Sequence, residues 1–290
     1  MTQLDPAWLD AHPLPEPGHD TDKNRRGRVL VAGGAETVPG ALRLTGEAAL
    51  RAGAGKLQLA VPPTTAIPLG IAMPEAAVFS LPANAKGELG AEAGEAIAAM
   101  IDRCDALVLG PGTGKDADAE PLLHAVLAQS GDVALLLDAG VIPAVPACAE
   151  AIRARNGDTV LTPHPGEMAA LMDCDEARAR EDAAALAQEA ADRFAVTVLL
   201  KGAETWIATP GEPVLHYPGG GPGLATGGSG DVLAGVIGGL LARGTPPRVA
   251  AAWGVWLHGE AGRRAGERIG PIGFLSREIL AEIPRLMARG

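Results

Sequence analysis

The chain has 290 residues, with 24 Lys and Arg against 35 Asp and Glu and a formal net charge of −11. Its 47% hydrophobic and 20% charged content excludes a disordered chain, and the acidic balance excludes a nucleic-acid binder held by phosphate contacts. The three cysteines, Cys104, Cys148 and Cys174, stand far apart without metal-ligand spacing, which predicts small buried side chains, no disulfide framework and a reducing, cytoplasmic setting.

In chain order, residues 1–25 are broken by Pro6, Pro13, Pro15 and Pro17 and place no basic region ahead of an apolar stretch. We expect a tail that lies over the domain surface or is partly disordered, and no signal peptide. Residues 26–290 are expected to form a single domain. Short Val- and Leu-rich runs at 28–32, 56–61, 106–109, 133–138, 158–161 and 196–200 end at Gly, Pro or Asp and predict buried strands. Ala-rich stretches at 39–53, 91–102, 117–130, 144–154 and 176–194 have helical length. A strand pair is predicted at 205–209 and 213–217, joined by Pro210-Gly211-Glu212, and helices at 229–243, 247–268 and 275–288 close the chain. The alternation predicts an α/β fold, a mostly parallel central sheet with helices on both faces. The longest apolar helix, from Val232 to Ala242, is about half the length that spans a bilayer, so no membrane partner is expected. Trp253 and Trp256 lie three apart in an Ala-rich helix, which predicts core packing.

Ligands of such sheets sit beyond the carboxyl ends of the strands, so the strand-terminal loops carry the chemistry. The strongest signal runs from Gly219 to Asp231 and feeds an apolar helix. Gly there lets an anion approach free backbone N–H groups at the helix start. Asp231 has two readings. It is a helix-start residue, or a general base toward a substrate hydroxyl beside a phosphoryl group. Lys201, at the end of an apolar strand, either snorkels to solvent or meets an anion. His164 lies between two prolines with Glu167 three residues on, and a lone loop histidine is more often simply exposed. Neither Gly55-Lys56 nor Gly114-Lys115 completes a P-loop, and no Gly-x-Gly-x-x-Gly occurs. Neither Asp138 nor Glu167 joins a tight carboxylate cluster, so the expectation is no protein-built metal site and Mg²⁺ held mainly by phosphates.

Taken together, these loops resemble the ADP/ATP-dependent NAD(P)H-hydrate dehydratases of the ribokinase-like superfamily. The resemblance runs from about Lys23 to Arg263. Its most specific stretches are Leu161-Thr162-Pro163-His164-Pro165-Gly166-Glu167-Met168 and Ala225-Thr226-Gly227-Gly228-Ser229-Gly230-Asp231-Val232-Leu233. Gly110-Pro111-Gly112-Thr113-Gly114, Leu200-Lys201-Gly202-Ala203 and His258-Gly259-Glu260-Ala261-Gly262 accompany them.

The resemblance implies repair of NADH or NADPH hydrated across the C5–C6 bond of the nicotinamide ring. ADP or ATP would phosphorylate the C6 hydroxyl, and phosphate would then leave. It implies Asp231 as the catalytic base, and Ala41, Gly112, Gly114, His164 and Asp231 as contacts to the hydrated cofactor. It implies Lys201, Gly202, Ala203, Glu204, Thr205, Gly228, Ser229 and Gly230 as the adenine nucleotide site. It also implies a homo-oligomer, with a tetramer favoured, and a stand-alone dehydratase without the epimerase domain of many relatives. The chain departs from the family at Gly140, Gly221 and Arg263, where Asp, Asn and Asp are common. A ribokinase-like small-molecule kinase, for instance of a vitamin alcohol, and a non-catalytic nucleotide-binding regulator share parts of this pattern.

Overall fold

Each apolar run with period-two alternation sends neighbouring side chains to opposite faces of a sheet. Val29 and Val31 enter one apolar cluster, while Leu30 and Ala32 enter a second. A computed structural model of the chain describes residues 1–18, 20–114 and 118–288. Ten strands form one sheet: β1 (Thr2–Gln3), β2 (Arg28–Ala32), β3 (Lys56–Val61), β4 (Ala76–Ser80), β5 (Ala106–Leu109), β6 (Ala134–Leu137), β7 (Thr159–Leu161), β8 (Thr197–Leu200), β9 (Thr205–Ala208) and β10 (Leu215–Tyr217). Their spatial order is β1-β10-β9-β8-β7-β6-β5-β2-β3-β4. Seven neighbouring strands, β2 to β8, run parallel. Only β9 runs against them, between β8 and β10. Strands so buried on both faces read as continuous hydrophobic runs, which is why they were visible in the sequence.

Helices cover both faces. The helices Ala41–Arg51, Ser229–Ala242 and Pro247–Ile269 pack with Val31, Val108 and Leu136 on one side. The helices Ala91–Ala98, Ala119–Leu127 and Ala183–Phe194 pack with Leu107, Leu109 and Leu135 on the other. Trp253 and Trp256 are 6% and 7% exposed and meet edge to face at 5.9 Å between ring centroids. Cys104 and Cys148 are buried and Cys174 half-buried, all three as free thiols.

The structure departs from the sequence reading in several places. Residues 1–25 contribute more than a surface tail. Thr2–Gln3 adds an edge strand parallel to β10, Leu4 and Leu9 are buried, and the Trp253 indole N–H donates to the His12 carbonyl at 2.8 Å. The helix Pro63–Ala72 and edge strand β4 were not anticipated; β4 is only half-buried, so it lacks the strong apolar run of its neighbours. The stretch 144–154 is not one α-helix. Pro143 and Pro146 remove backbone donors, giving a 3₁₀ segment, Ala139–Cys148, before the α-helix Ala149–Arg153. The stretch 176–194 breaks at Asp182 into Glu176–Glu181 and Ala183–Phe194. The last helix is likewise divided, into Ser276–Ile279, a 3₁₀ turn and Ile283–Met287. The start of the predicted helix 117–130 lies outside the described residues.

Candidate active site

The strand order brings the site together. In the sequence β8-β7-β6, the residues just past each carboxyl end are Lys201, Thr162 and Asp138. Two strand spacings, roughly 10 Å, separate the outer pair, and a lysine side chain reaches across. Its Nζ donates to Asp138 Oδ1 at 2.7 Å, and the Thr162 hydroxyl donates to the same oxygen at 2.6 Å. Asp138 is 3% exposed. Burial works against the Lys201 charge, but Asp138, Glu167 and Asp231 outweigh it and hold the ammonium above its ordinary value.

The second half of the site is the start of the Ser229–Ala242 helix. Gly228 precedes it with φ +86°, a left-handed conformation that a side chain resists. The N–H of Val232 donates to Gly228, the first intrahelical bond, whereas those of Gly230 and Asp231 have no partner among the described residues. Two free donors and the positive end of the helix dipole form an anion site. A Cβ at Gly230 would stand 3.7 Å from Lys201 Nζ, so the ammonium lies against this turn. Burial, followed by the nearby Asp138 charge, pushes the Asp231 carboxyl up to about 6, with Lys201 acting in the opposite sense. Chemically, the arrangement is cationic and rich in donors, which suits an anion such as phosphate, with a carboxylate able to take a proton near neutrality.

The predicted residues fall into three groups. Lys201, Gly228, Ser229, Gly230 and Asp231 converge at the start of the Ser229–Ala242 helix. Gly202, Ala203, Glu204 and Thr205 form the adjoining turn into β9. That turn touches the glycine-rich loop, since a Cβ at Gly219 would stand 2.1 Å from the Ala203 carbonyl. Glu204 Oε2 lies 3.1 Å from His216 Nε2, and the His216 ring stacks on Trp206.

Ala41 and Gly112 meet on the other side. A Cβ at Gly112 would come within 2.7 Å of the Ala41 Cβ. Helix packing sets their position. Gly235 lies against Thr45, and Gly239 against Ala49, with no room for a Cβ at either glycine. One turn earlier, this register carries Ala41 toward Asp231. The Gly114 N–H donates to Glu88 Oε1 at 2.9 Å.

His164 has a structural job. Its Nδ1 accepts from the N–H groups of Gly166 and Glu167, and the Glu167 carboxylate accepts the His164 N–H at 2.9 Å. This reciprocal cap starts the helix Pro165–Met172, which was not predicted, and explains the three-residue spacing.

Sequence reasoning gave Asp138 and Thr162 no role, and it placed His258 only within a motif. Their parts depend on strand order and on a helix contact, neither of which local sequence reveals. Of the departures, a Cβ at Gly140 would stand 2.0 Å from the Gly114 carbonyl, so these two loops touch. Arg263 pairs with Glu260 and Glu267 on the helix surface. Two clefts, of about 550 and 490 Å³, open at the amino ends of the strands and contain none of the predicted residues.

A parallel sheet with one reversed strand, and a glycine-rich loop feeding a carboxylate-bearing helix at its carboxyl edge, define the class: the chain has a ribokinase-like fold. It superposes on a ribokinase-like superfamily protein of Enterococcus faecalis with a TM-score of 0.82 at 28% identity, covering 100% of this chain and 96% of the other. Residues 29–285 match the NAD(P)H-hydrate dehydratase family, and the chain belongs to it. An ADP-dependent (S)-NAD(P)H-hydrate dehydratase of Xanthomonas campestris is 45% identical, over 98% of this chain and 95% of that protein. A bifunctional NAD(P)H-hydrate repair enzyme of Moorella thermoacetica is 37% identical over 98% of this chain, which spans only 53% of the longer relative. The ADP/ATP-dependent NAD(P)H-hydrate dehydratase of Bacillus subtilis, co-crystallised with ATP and Mg²⁺, superposes with a TM-score of 0.82 at 26% identity, over 99% and 98% of the two chains.

Proposed function

We propose that this chain dehydrates hydrated NADH or NADPH back to the reduced cofactor at the expense of an adenine nucleotide. The observation that carries the reading is Asp231, a half-buried carboxylate held near 6 beside free N–H groups and the Lys201 ammonium. A helix-start residue alone needs no such seat. Asp231 takes the proton of the C6 hydroxyl, and the hydroxyl oxygen forms a bond to the terminal phosphorus as the phosphoanhydride bond breaks. The phosphate on C6 is a far better leaving group than hydroxide. The ring nitrogen lone pair expels it, breaking the C6–O bond, and loss of a C5 proton restores the dihydronicotinamide. With ADP the products are the reduced cofactor, AMP and phosphate. Lys201, fixed by Asp138, and the Gly230 and Asp231 N–H groups neutralise the charge that develops on the transferred group.

In this reading Gly202, Ala203, Glu204 and Thr205 bound the nucleotide. Ala41, Gly112, Gly114 and His164 line the substrate side. Among the described residues, no group of three His, Cys, Asp or Glu side chains is arranged to hold a metal ion. Asp138 is already engaged by Lys201, which suits a divalent cation carried mainly by phosphate oxygens. Among the described residues, no helix is long and apolar enough to cross a membrane. We also place the protein in the cytoplasm as a homo-oligomer, with a tetramer favoured.

The test is incubation with hydrated NADH, Mg²⁺ and either ADP or ATP. Return of the near-ultraviolet dihydronicotinamide band only when nucleotide is present is the expected result. Its absence with both nucleotides overturns the reading.

A further inference from the structure

The glycine-rich loop has little side-chain mass of its own, so something must hold its free donors in place. The helix Pro247–Ile269 runs beneath it. A Cβ at Gly220 would stand 2.5 Å from the Gly259 Cα, and a Cβ at Gly262 would stand 2.6 Å from the Leu224 side chain. Most of this contact is backbone and apolar surface, which fixes distance but not rotation. Two side-chain hydrogen bonds supply direction. The Ser276 hydroxyl donates to the Gly227 carbonyl at 2.8 Å, and His258 Nε2 lies 3.0 Å from Ser229 Oγ. Ser229 is 7% exposed and is the residue immediately before the two free N–H groups. The imidazole is neutral. Burial pushes it down to about 4, the Lys201 charge acts in the same sense, and a hydrogen bond to the Ser229 backbone opposes them only in part.

We propose that His258 is a positioning residue for the phosphate seat: through Ser229 it sets the direction of the Gly230 and Asp231 N–H groups toward the nucleotide. The inference rests on the phosphate seat assigned above. A neutral imidazole suits the task. It hydrogen-bonds Ser229 without adding a second fixed cation beside Lys201, so the nucleotide is held by direction rather than by further charge. In this proposal His258 acts through Ser229, its hydrogen-bond partner, rather than on the nucleotide or the reacting hydroxyl.

The test is a double-mutant cycle read by calorimetry with ADP and by the KM for hydrated NADH. His258→Leu is expected to weaken ADP binding by roughly three- to tenfold, the usual consequence of losing one hydrogen bond, with the KM for hydrated NADH unchanged. His258→Gln, which places an amide near the position of Nε2, is expected to recover most of that loss. In a Ser229→Ala background, His258→Leu is expected to add less than twofold. Thermal midpoints of all variants show whether each is folded. Additive losses in the cycle overturn the positioning role, as does a Gln variant no better than Leu while both remain folded. A wild-type protein that binds no ADP overturns this inference together with the functional reading. A wild type that binds ADP with additive variants overturns the inference alone.

Discussion

At the scale of single residues, the decisive feature is a carboxylate that the fold holds at about 6 rather than near its ordinary 3.8. In the proposed role of base it must be ionised, so kcat/KM is expected to fall about tenfold per pH unit below 6 and to level off above it. Asp231→Asn keeps the shape and cannot accept the proton. Turnover should drop by about 10²–10⁴-fold, while ADP affinity stays equal or tightens because a negative charge beside the phosphates is gone. Calorimetry and recovered NADH absorbance separate the two effects. Because the folded-state value lies above the unfolded one, the stability Asp231 contributes is full below about 4 and is lost as pH rises through about 6. Asp231→Asn should therefore raise the melting temperature at pH 7 more than at pH 4, which calorimetric melts would show. Asp138 tests the same electrostatics from the other side. Asp138→Asn removes a charge that raises Asp231 and frees Lys201 to face it. The acid limb of the pH profile should then move below 6, and an unmoved limb would place the titrating group elsewhere.

Among elements, the site depends on two helices that run side by side at the distance of a bare backbone. A Cβ at Gly235 would stand 2.1 Å from the Thr45 carbonyl, and one at Gly239 would stand 2.5 Å from that of Ala49. Helix propensity favours Ala over Gly by about 1 kcal/mol. Overpacking at such contacts costs about 1–3 kcal/mol, and because the neighbour is backbone rather than a flexible side chain, the cost wins. Gly235→Ala should lower the denaturation midpoint and, by moving Ala41 away from Asp231, raise the KM for hydrated NADH more than the Kd for ADP. Equal changes in both would detach the Ala41 helix from the substrate side. The reciprocal cap of His164 and Glu167 is a separate element-scale device: it fixes the turn after β7, between the loops that carry Asp138 and Lys201.

Over the whole molecule, the seven parallel strands place every strand-end loop at one edge of the sheet, so ligand binding couples to global stability. A saturating nucleotide with Mg²⁺, at about a hundred times its Kd, should stabilise the fold by about 2.7 kcal/mol, visible as a rise in melting temperature that chelation reverses. A melting temperature indifferent to ADP would contradict the phosphate seat. The outer edge carries a different signal. Ile67 and Ile71, one turn apart on the Pro63–Ala72 helix beside edge strand β4, are 75% and 79% exposed. The oligomer we propose should bury apolar surface of this kind. Light scattering at micromolar concentration should give a mass above the monomer's, and a monomer would refute it.

The sequence by itself determined the buried strands β2, β3 and β5 to β8, the antiparallel pair β9 and β10, and the glycine-rich loop with its apolar helix. Those signals are local: a continuous Val and Leu run, a Gly-rich approach, a turn between two short strands. It also held the family resemblance, because the strand-end loops keep their residue types in order along the chain. It did not reveal β1 or β4. A two-residue edge strand and a half-buried one need only weak patterns, since neighbours supply their hydrogen bonds. Tertiary structure alone decided that Asp138, Thr162 and Lys201 share one hydrogen-bonded cluster, because strand order, not sequence distance, makes β6, β7 and β8 adjacent. It alone set Asp231 near 6 and His258 near 4. Those values come from removing water and from charges brought in by distant segments, and a carboxylate or an imidazole read in its own local sequence carries neither.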